Sequence, residues 1–234
     1  MLTKLPNSAR FTLSKIDYKH YQALQDLTPI DFNLSSAACT KRRNEFYSGR
    51  WCAVQCLIQK NINNFAIQIG EDRAPIWPKG IIGSISHSDR LAAALVDKNT
   101  DCVAIGLDIQ PLSPETLAED LKDTILHPLE ITRFNHEFDA KIFDLIFSAK
   151  ETLFKALYPS CSVFFDHQEA EVFKIDVSQN TLKIRLLRPL GKTWHKNQVF
   201  EINFDYISGE LVTWLHLKHA KAQDSAQLTL NNHL

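Results

Sequence analysis

The chain has 234 residues, of which 44% are hydrophobic and 23% are charged, and its formal net charge is -1. This length and composition predict an ordinary globular protein with one large domain or two small ones, and the near-neutral charge argues against a whole-protein field for nucleic acid or anionic membrane. The first twenty residues lack a continuous apolar stretch and no later run reaches the ~18 apolar residues of a membrane-spanning helix, so we expect a cytoplasmic protein.

The first half of the chain predicts an edge-like strand, a helix and then three short strands. The strand covers 10–18, the helix covers about 35–60, and a loop rich in turn residues follows at 74–80. Apolar runs at 81–86, 91–97 and 102–109 are separated by turn residues, which indicates a meander of three strands.

The second half predicts two helices followed by four strands. Ser113 is the expected N-cap of a helix that has Pro114 at its first position, runs to about Leu126 and is broken by Pro128. The second helix covers about 143–157, with Pro159 just past its end. Strands are expected at 171–177, 181–187, 199–206 and 211–217, with a hairpin turn at 208–210 and a frayed polar tail from about 220.

The order of these elements predicts an α+β fold with antiparallel sheets rather than a doubly wound parallel sheet. Each half has helices followed by a small meander. We therefore expect two pseudo-duplicated subdomains, residues 1–107 and 108–234, with the active site in a cleft between them.

Two polar segments lie on the predicted strands of the first half. In "GSISHSDR", at 83–90, the hydroxyls, the imidazole of His87 and the turn amides suit an anion such as phosphate, although serines that close turn hydrogen bonds explain the same pattern. In "AIGLDIQP", at 104–111, alternation puts Gly106, Asp108 and Gln110 on one face and apolar residues on the core face. The Asp108 carboxylate suits Mg²⁺, and a wet second face is the alternative.

Two further segments carry charge on predicted helices. Glu151 and Lys155 align at i, i+4, which fits a surface ion pair as well as a functional site. The segment "KRRNEFYSGR", at 41–50, gathers cations that can grip a phosphate monoester, cover a solvated helix face or contact nucleic acid. Together the four segments indicate a polyphosphorylated small molecule and phosphoryl-transfer chemistry.

The same segments resemble the 4'-phosphopantetheinyl transferases, in the branch of the surfactin-type enzymes and enterobactin synthase component D. The resemblance rests on "GSISHS" at 83–88, "IGLDIQ" at 105–110 and "FSAKETLFKALYP" at 147–159, together with the 41–50 segment and the "APIWPKG" loop. It covers about residues 41–160, and the ordered spacing of four motifs makes it highly specific.

This resemblance implies an enzyme that moves the phosphopantetheine arm of coenzyme A to a serine of an acyl or peptidyl carrier protein and releases adenosine 3',5'-bisphosphate. It implies Mg²⁺ held by Asp108 and Glu151, Glu151 also as the candidate base, and Lys150 and Lys155 facing the pyrophosphate. The implied nucleotide contacts are Ser86 and His87 together with Arg42, Arg50 and, as a looser match, Arg73. A monomer without nucleic-acid or membrane partners is expected.

Gln110 departs from the pattern, because many members of the family have Glu there. A neutral amide removes one anionic metal ligand, which predicts weaker metal binding or a changed preference between Mg²⁺ and Mn²⁺. Two other functions stay open at this point. One is a catalytically silent homologue that binds coenzyme A or a nucleotide; the other is a small nucleic-acid-binding protein, which does not explain the carboxylates.

Overall fold

Two antiparallel sheets with helices on their outer faces build the protein, which is described by a computed structural model over residues 2, 4–27, 34–35 and 37–219. The first sheet, in the order β1-β5-β4, consists of β1 (Arg10–Lys15), β4 (Ile81–His87) and β5 (Leu91–Lys98). It is accompanied by the helices α1 (Lys19–Leu27) and α2 (Thr40–Gln59) and by a small ladder of β2 (Gln68–Ile69) with β3 (Pro75–Ile76).

The second sheet contains five strands in the order β6-β10-β9-β8-β7. They are β6 (Ala104–Pro111), β7 (Ala170–Asp176), β8 (Thr181–Leu186), β9 (Val199–Ile207) and β10 (Glu210–Leu217). Its helices are α3 (Glu115–Ile125), α4 (Pro128–Phe134) and α5 (Ala140–Cys161), and a 3-10 turn covers His167–Glu169. Every strand pair is antiparallel, so the predicted α+β class is confirmed.

The apolar residues of the two sheets form three layers of core. One face of β5 packs against α2, and its other face meets the apolar face of β6, including Ile105 and Leu107, and Trp214 of β10. The opposite face of the second sheet packs against α3 and α5. Helix, sheet, sheet and helix are therefore stacked in that order, and β6 lies in the middle of the stack.

The predicted meander is wrong for its third strand. β6 pairs with β10, where Asp108 lies opposite Thr213, and it does not pair with β4 or β5 through the backbone. Beside β4, the amides of Leu107 and Ile109 donate instead to the hydroxyls of Ser84 and Ser86, both at 3.1 Å. Side-chain hydroxyls thus satisfy backbone groups that a continuous ladder would otherwise pair, and they join the two sheets.

The predicted helix end at about Leu126 is confirmed, because α3 ends at Ile125, but three prolines of the second half take other helix positions than predicted. Pro128 begins α4 rather than breaking a helix, because the His127 side chain caps the amide of Leu129 and Pro tolerates the first helical position. Pro114, not Ser113, is the N-cap of α3. Pro159 lies inside the last turn of α5, which ends at Cys161 and is followed by Ser162 in the left-handed conformation.

Other boundaries differ from the predicted ones by up to five residues. α2 begins at Thr40 instead of about residue 35, and α1 was not predicted. The four C-terminal strands lie within one residue of their predicted bounds. The predicted subdomain division between residues 107 and 108 falls within β6 and stays a prediction, and the predicted frayed tail from 220 lies outside the described residues. Within those residues no helix combines the length and the apolarity that crossing a bilayer requires.

Candidate active site

Asp108 is the centre of a buried polar cluster in the middle of β6. Its Oδ1 accepts hydrogen bonds from the Lys155 ammonium at 2.6 Å and the Ser86 hydroxyl at 3.0 Å, and its Oδ2 accepts one from Ser148 at 2.8 Å. Burial alone would raise the pKa of Asp108, but the positive charge of Lys155 and these three donors outweigh it and lower the pKa. The side chain is therefore a carboxylate in the folded protein.

Asp108 can lie between β6 and α5 because its neighbours on the same strand face, Gly106 and Gln110, are small or polar. A Cβ built on Gly106 would lie 2.0 Å from the carbonyl oxygen of Thr152, so only glycine lets the α5 backbone approach β6 this closely. The predicted alternation along this strand is confirmed, with Ile105 and Leu107 buried in the core that the two sheets share.

α5 supplies the other half of the cluster. Asp139 caps its N-terminus by accepting from the amide of Ile142 at 2.8 Å, and Ala149, Leu153 and Ala156 are buried in the core as predicted. Ser148, Glu151 and Lys155 repeat at intervals of three and four residues, so they share one helix face. Because Ser148 and Lys155 both contact Asp108, this face is the one that meets β6.

Glu151 lies between Ser148 and Lys155 along that face and is partly exposed. Its Oε1 is 2.8 Å from Nε2 of His167, and 29% of its side-chain surface is accessible. His167 was not predicted, because the segment "FFDHQEAE" contains no recognisable motif. Only the fold brings this histidine, 16 residues further along the chain, to the carboxylate.

The prediction that Lys150 faces the pyrophosphate is wrong. The Lys150 ammonium is buried, donating to Glu130 at 2.6 Å and to the carbonyl of Ile125 at 2.9 Å. Burial lowers the pKa of Lys150 and raises that of Glu130, so each charge depends on the other for compensation. Position 150 is one residue from Glu151, and the helix turns by about 100° per residue, which directs Lys150 away from the site.

Gln110 lies on the same strand face as Asp108, nearer the N-terminal end of α5. Its amide nitrogen donates to the carbonyl oxygen of Asp144 at 3.3 Å, which leaves its amide oxygen as the available acceptor. The Asp144 carboxylate accepts from the amide of Ser113 at 2.8 Å, while its Oδ1 is buried and accepts no hydrogen bond from any residue that the structure describes. Burial accordingly raises the pKa of Asp144.

The basic segment of α2 faces the end of β4. Arg42 donates to Nε2 of His87 at 3.0 Å, and Glu45 lies 4.0 Å from each of them. Burial is the largest cause that lowers the pKa of His87, and the nearby Arg42 and Lys155 charges lower it further. A neutral imidazole can accept the hydrogen bond from Arg42, and the half-exposed guanidinium keeps other donors for a ligand.

Arg50 is more deeply buried than Arg42. Its Nε donates to the carbonyl of Ile67 at 2.9 Å, and its guanidinium lies over the ring of Phe46 at 4.7 Å. Burial, with a smaller contribution from Arg42, lowers the pKa of Arg50 to about 10. Arg73 takes a positive φ of 67° at the turn between β2 and β3.

Two cavities flank the cluster and share Arg73, Pro75 and Ile85 in their walls. One, of about 400 Å³, is lined by Arg42, Arg50 and His87. The other, of about 800 Å³, follows β4 between the two sheets and has Lys155 in its wall, with aromatic residues beyond it: Trp77, Phe154, Tyr158 and Phe164. Cations from α2, the β2–β3 turn and α5 therefore converge on one continuous region.

A second cluster of charged residues lies at the opposite end of β5. Its contacts indicate a role in stabilising the fold rather than in binding a metal. Asp97 accepts hydrogen bonds from Lys60 at 2.7 Å, His216 at 2.8 Å and Ser8 at 2.7 Å, and Cys102 is close by. The three potential metal ligands lie within 4.8 Å of one another. However, the Lys60 ammonium already compensates the carboxylate, and burial raises the pKa of Cys102 to about 12, so its thiol stays protonated.

Comparison with known proteins relates both halves of the chain to one family. Residues 32–97 match the model of the 4'-phosphopantetheinyl transferase N-terminal domain, and residues 104–210 match the 4'-phosphopantetheinyl transferase superfamily. The chain is 34% identical to 4'-phosphopantetheinyl transferase Npt of Nocardia iowensis over 172 residues, which are 70% of this chain and 76% of that protein.

Two further relatives align over shorter segments. The chain is 31% identical to 4'-phosphopantetheinyl transferase Svp of Streptomyces mobaraensis over 65% of this chain and 62% of that protein. It is 37% identical to enterobactin synthase component D of Escherichia coli K12 over 50% of this chain and 55% of that protein. The alignments with these two relatives therefore span less than two thirds of their lengths.

Proposed function

The chain belongs to the 4'-phosphopantetheinyl transferase superfamily, and from this premise we propose that it transfers the 4'-phosphopantetheine arm of coenzyme A to a serine of a carrier protein. The observation that carries the proposal is the meeting of Asp108, Lys155 and Ser86, with Lys155 also in the wall of the larger of two adjoining cavities that both contain cations. The phosphates of coenzyme A need such a region, because phosphoryl transfer depends on positioning and charge neutralisation.

The cations divide into two groups with different roles. Arg42, Arg50 and His87 line the smaller cavity and bind the 3'-phosphate and nucleotide part, with Arg73 between the two cavities. Because two of its donors already serve backbone carbonyls, Arg50 contributes mainly charge and rigidity. Lys155 faces the pyrophosphate, and the Ser86 hydroxyl, which donates to Asp108 and accepts from Lys155, holds these two side chains beside His87.

The oxygen donors of the cluster fit Mg²⁺. Asp108 and Glu151 are carboxylates on facing elements, and the free amide oxygen of Gln110 lies on the same strand face as Asp108. Mg²⁺ prefers oxygen ligands and commonly uses one or two carboxylates with water and substrate phosphates, so Asp108 and Glu151 would hold it and Gln110 would add a weak neutral ligand. When bound, the ion withdraws charge from the pyrophosphate.

The chain's own residues account for the transfer step. The serine oxygen of the carrier attacks the β-phosphorus of coenzyme A, a new P–O bond forms, and the bond from that phosphorus to the bridging oxygen breaks. Glu151, or a water that it orients, takes the serine proton, and Lys155 stabilises the charge that develops on the departing adenosine 3',5'-bisphosphate. A loose transition state needs little base strength, so a weakly basic carboxylate suffices.

We also propose that a single copy is sufficient, because one chain contributes both walls of the cleft. The proposed division into subdomains 1–107 and 108–234 places His87 in one subdomain and Asp108 and Lys155 in the other. The carrier protein then approaches the partly exposed Glu151 from solvent.

Mass spectrometry of a carrier protein tests the proposal. Incubation of an apo carrier with coenzyme A and Mg²⁺ should add about 340 Da, the size of the transferred arm, since the cofactor here acts as a group carrier. The Asp108→Asn variant should add the arm far more slowly. Binding of coenzyme A without any mass shift, across carriers of several synthase classes, would support a catalytically silent binding protein instead.

A further inference from the structure

His167 is the one described residue that holds the Glu151 carboxylate by a hydrogen bond or ion pair. Its Nε2 lies 2.8 Å from Glu151 Oε1, a distance at which the ring N–H donates to the carboxylate. Lys155, one helical turn away, is engaged with Asp108 and Ser86. Without His167, the partly exposed Glu151 side chain would be free to change rotamer at the helix surface.

The turn that carries His167 is anchored at several points. The amide of Asp166 donates to the Glu169 carboxylate at 2.8 Å, and Glu169 is paired with Arg188. The side-chain amide nitrogen of Gln168 donates to the carbonyl of Asp123, at the end of α3, at 2.8 Å. These bonds hold both neighbours of His167 in place, through the backbone of Asp166 and the side chain of Gln168, so the position of the ring is built into the fold.

The ring itself is oriented from two directions. Phe147, one turn before Glu151 on α5, contacts the imidazole with ring centroids 5.4 Å apart. Oδ1 of the adjacent Asp166 lies 3.7 Å from Nδ1 of the ring. A packed ring with a defined donor direction differs from an ordinary exposed ion pair, in which two mobile side chains meet and contribute little.

We propose that His167 is a positioning residue: its Nε2–H fixes the Glu151 carboxylate in the orientation needed beside Asp108. This inference rests on the proposed function, which gives Glu151 its role at the metal and at the serine proton. Partners that orient ligating or catalytic carboxylates contribute substantially, and their loss typically costs 10- to 100-fold in metal affinity or activity. His167 is not required to exchange a proton.

Two substitutions separate positioning from structure. In His167→Gln the side-chain amide can place a donor near the position of Nε2, whereas His167→Leu fills the space without a donor. The exposed His195→Leu, on the loop before β9, is the matched control. We expect His167→Leu to lower kcat by about 10- to 100-fold with little change in KM for coenzyme A, and His167→Gln to recover activity to within about threefold of the original protein.

A measurement without turnover completes the test. Binding of Mn²⁺ alone, followed by electron paramagnetic resonance, should weaken about tenfold in His167→Leu and much less in His167→Gln, with equal melting temperatures. Unchanged kcat and Mn²⁺ affinity in His167→Leu would overturn the inference, as would equal losses in both variants together with a lower melting temperature. If the original protein transfers nothing, the proposed function fails, and the Mn²⁺ comparison still decides the role of His167.

Discussion

Two lysines of α5 each form an ion pair with a carboxylate at the same distance, but the surroundings of the two pairs are opposite. Lys155 meets Asp108 at 2.6 Å and keeps 27% of its side-chain surface accessible, whereas Lys150 meets Glu130 at 2.6 Å with both side chains buried. The first pair leaves one N–H donor of the ammonium for a ligand in the cavity that Lys155 lines, and the second encloses all its polar atoms in the core. The same contact therefore fixes the fold in one place and presents charge to a ligand in the other.

Helix geometry explains the difference between the two lysines. Five residues at about 100° each rotate a side chain by 500°, which leaves positions 150 and 155 about 140° apart around the helix axis. One direction leads to β6 and the cleft, and the other leads towards α4 and the end of α3. Substitutions that affect stability at one lysine and activity at the other would establish this division.

The largest effect is expected at the buried pair. Lys150→Met leaves the Glu130 carboxylate buried without its counter-charge, which should lower the free energy of unfolding by about 3–5 kcal/mol. Urea denaturation measures this loss, and Lys141→Met, at an exposed lysine of the same helix, is the control. The activity per folded molecule should be retained. A loss of less than about 1 kcal/mol would contradict the structural role of the pair.

Substitution in the partly exposed Lys155–Asp108 pair should affect activity more than stability. Lys155→Met removes the cation that stabilises the departing phosphate, and we expect transfer to slow by about 10²- to 10³-fold, as for other groups that stabilise transition-state charge. Initial rates of carrier modification at saturating coenzyme A measure the effect. Stability should fall less than in Lys150→Met, because Asp108 keeps the hydrogen bonds from Ser86 and Ser148 when the Lys155 charge is removed. Equal rates in Lys155→Met and Lys141→Met would remove Lys155 from the mechanism.

The Asp97 cluster provides a pH test of a buried pair far from the cleft. Burial alone would raise the pKa of Asp97, but hydrogen bonds from Lys60, Ser8 and His216 lower it from 3.8 to about 2. Because the folded-state pKa lies below the unfolded value, the stabilisation is fully present above about pH 4 and disappears as the pH falls through about 2. Asp97→Asn should be about 1–3 kcal/mol less stable at pH 6.

Urea titrations from pH 6 down to pH 2 check this dependence. The difference in unfolding free energy between the original protein and Asp97→Asn should shrink across the acid range. A difference that stays constant with pH would show that the Asp97 charge is not what the cluster stabilises.

The smallest effect is expected at Gln110. Gln110→Glu adds an anionic oxygen beside Asp108 but loses the hydrogen bond to the Asp144 carbonyl and places a second carboxyl group near Asp144. We expect the Mg²⁺ concentration for half-maximal activity to fall only severalfold, since Mg²⁺ sites function with one or two carboxylates. Titration with Mg²⁺ and with Mn²⁺ measures the change. An unchanged activation constant would contradict the predicted weakening by Gln110.

Patterns within single elements were predictable to the residue. Period-two alternation put Asp108 on the face of β6 opposite Ile105, and helical spacing put Glu151 and Lys155 on one face of α5, as the structure has them. The transferase family followed from ordered motifs and is confirmed. The roles of the individual side chains toward coenzyme A and Mg²⁺ stay predictions.

Contacts between distant elements were not predictable. Lys150 belongs to the same motif as Glu151, but its partner Glu130 lies on α4, a helix that the sequence pattern did not indicate because Pro128 was read as a break. His167 has no motif, and β6 was placed in the wrong sheet because its amides bond to serine hydroxyls of β4 rather than to a backbone ladder.

The amino-acid order alone determined the secondary-structure periods, the apolar faces and the family, since each depends on spacing within a short stretch of chain. Only the tertiary structure decided which charges compensate each other in the core and which stay available in the cleft. The reason is that the energy of a charge depends on the groups and solvent around it, and those surroundings come from helices and strands far away along the chain.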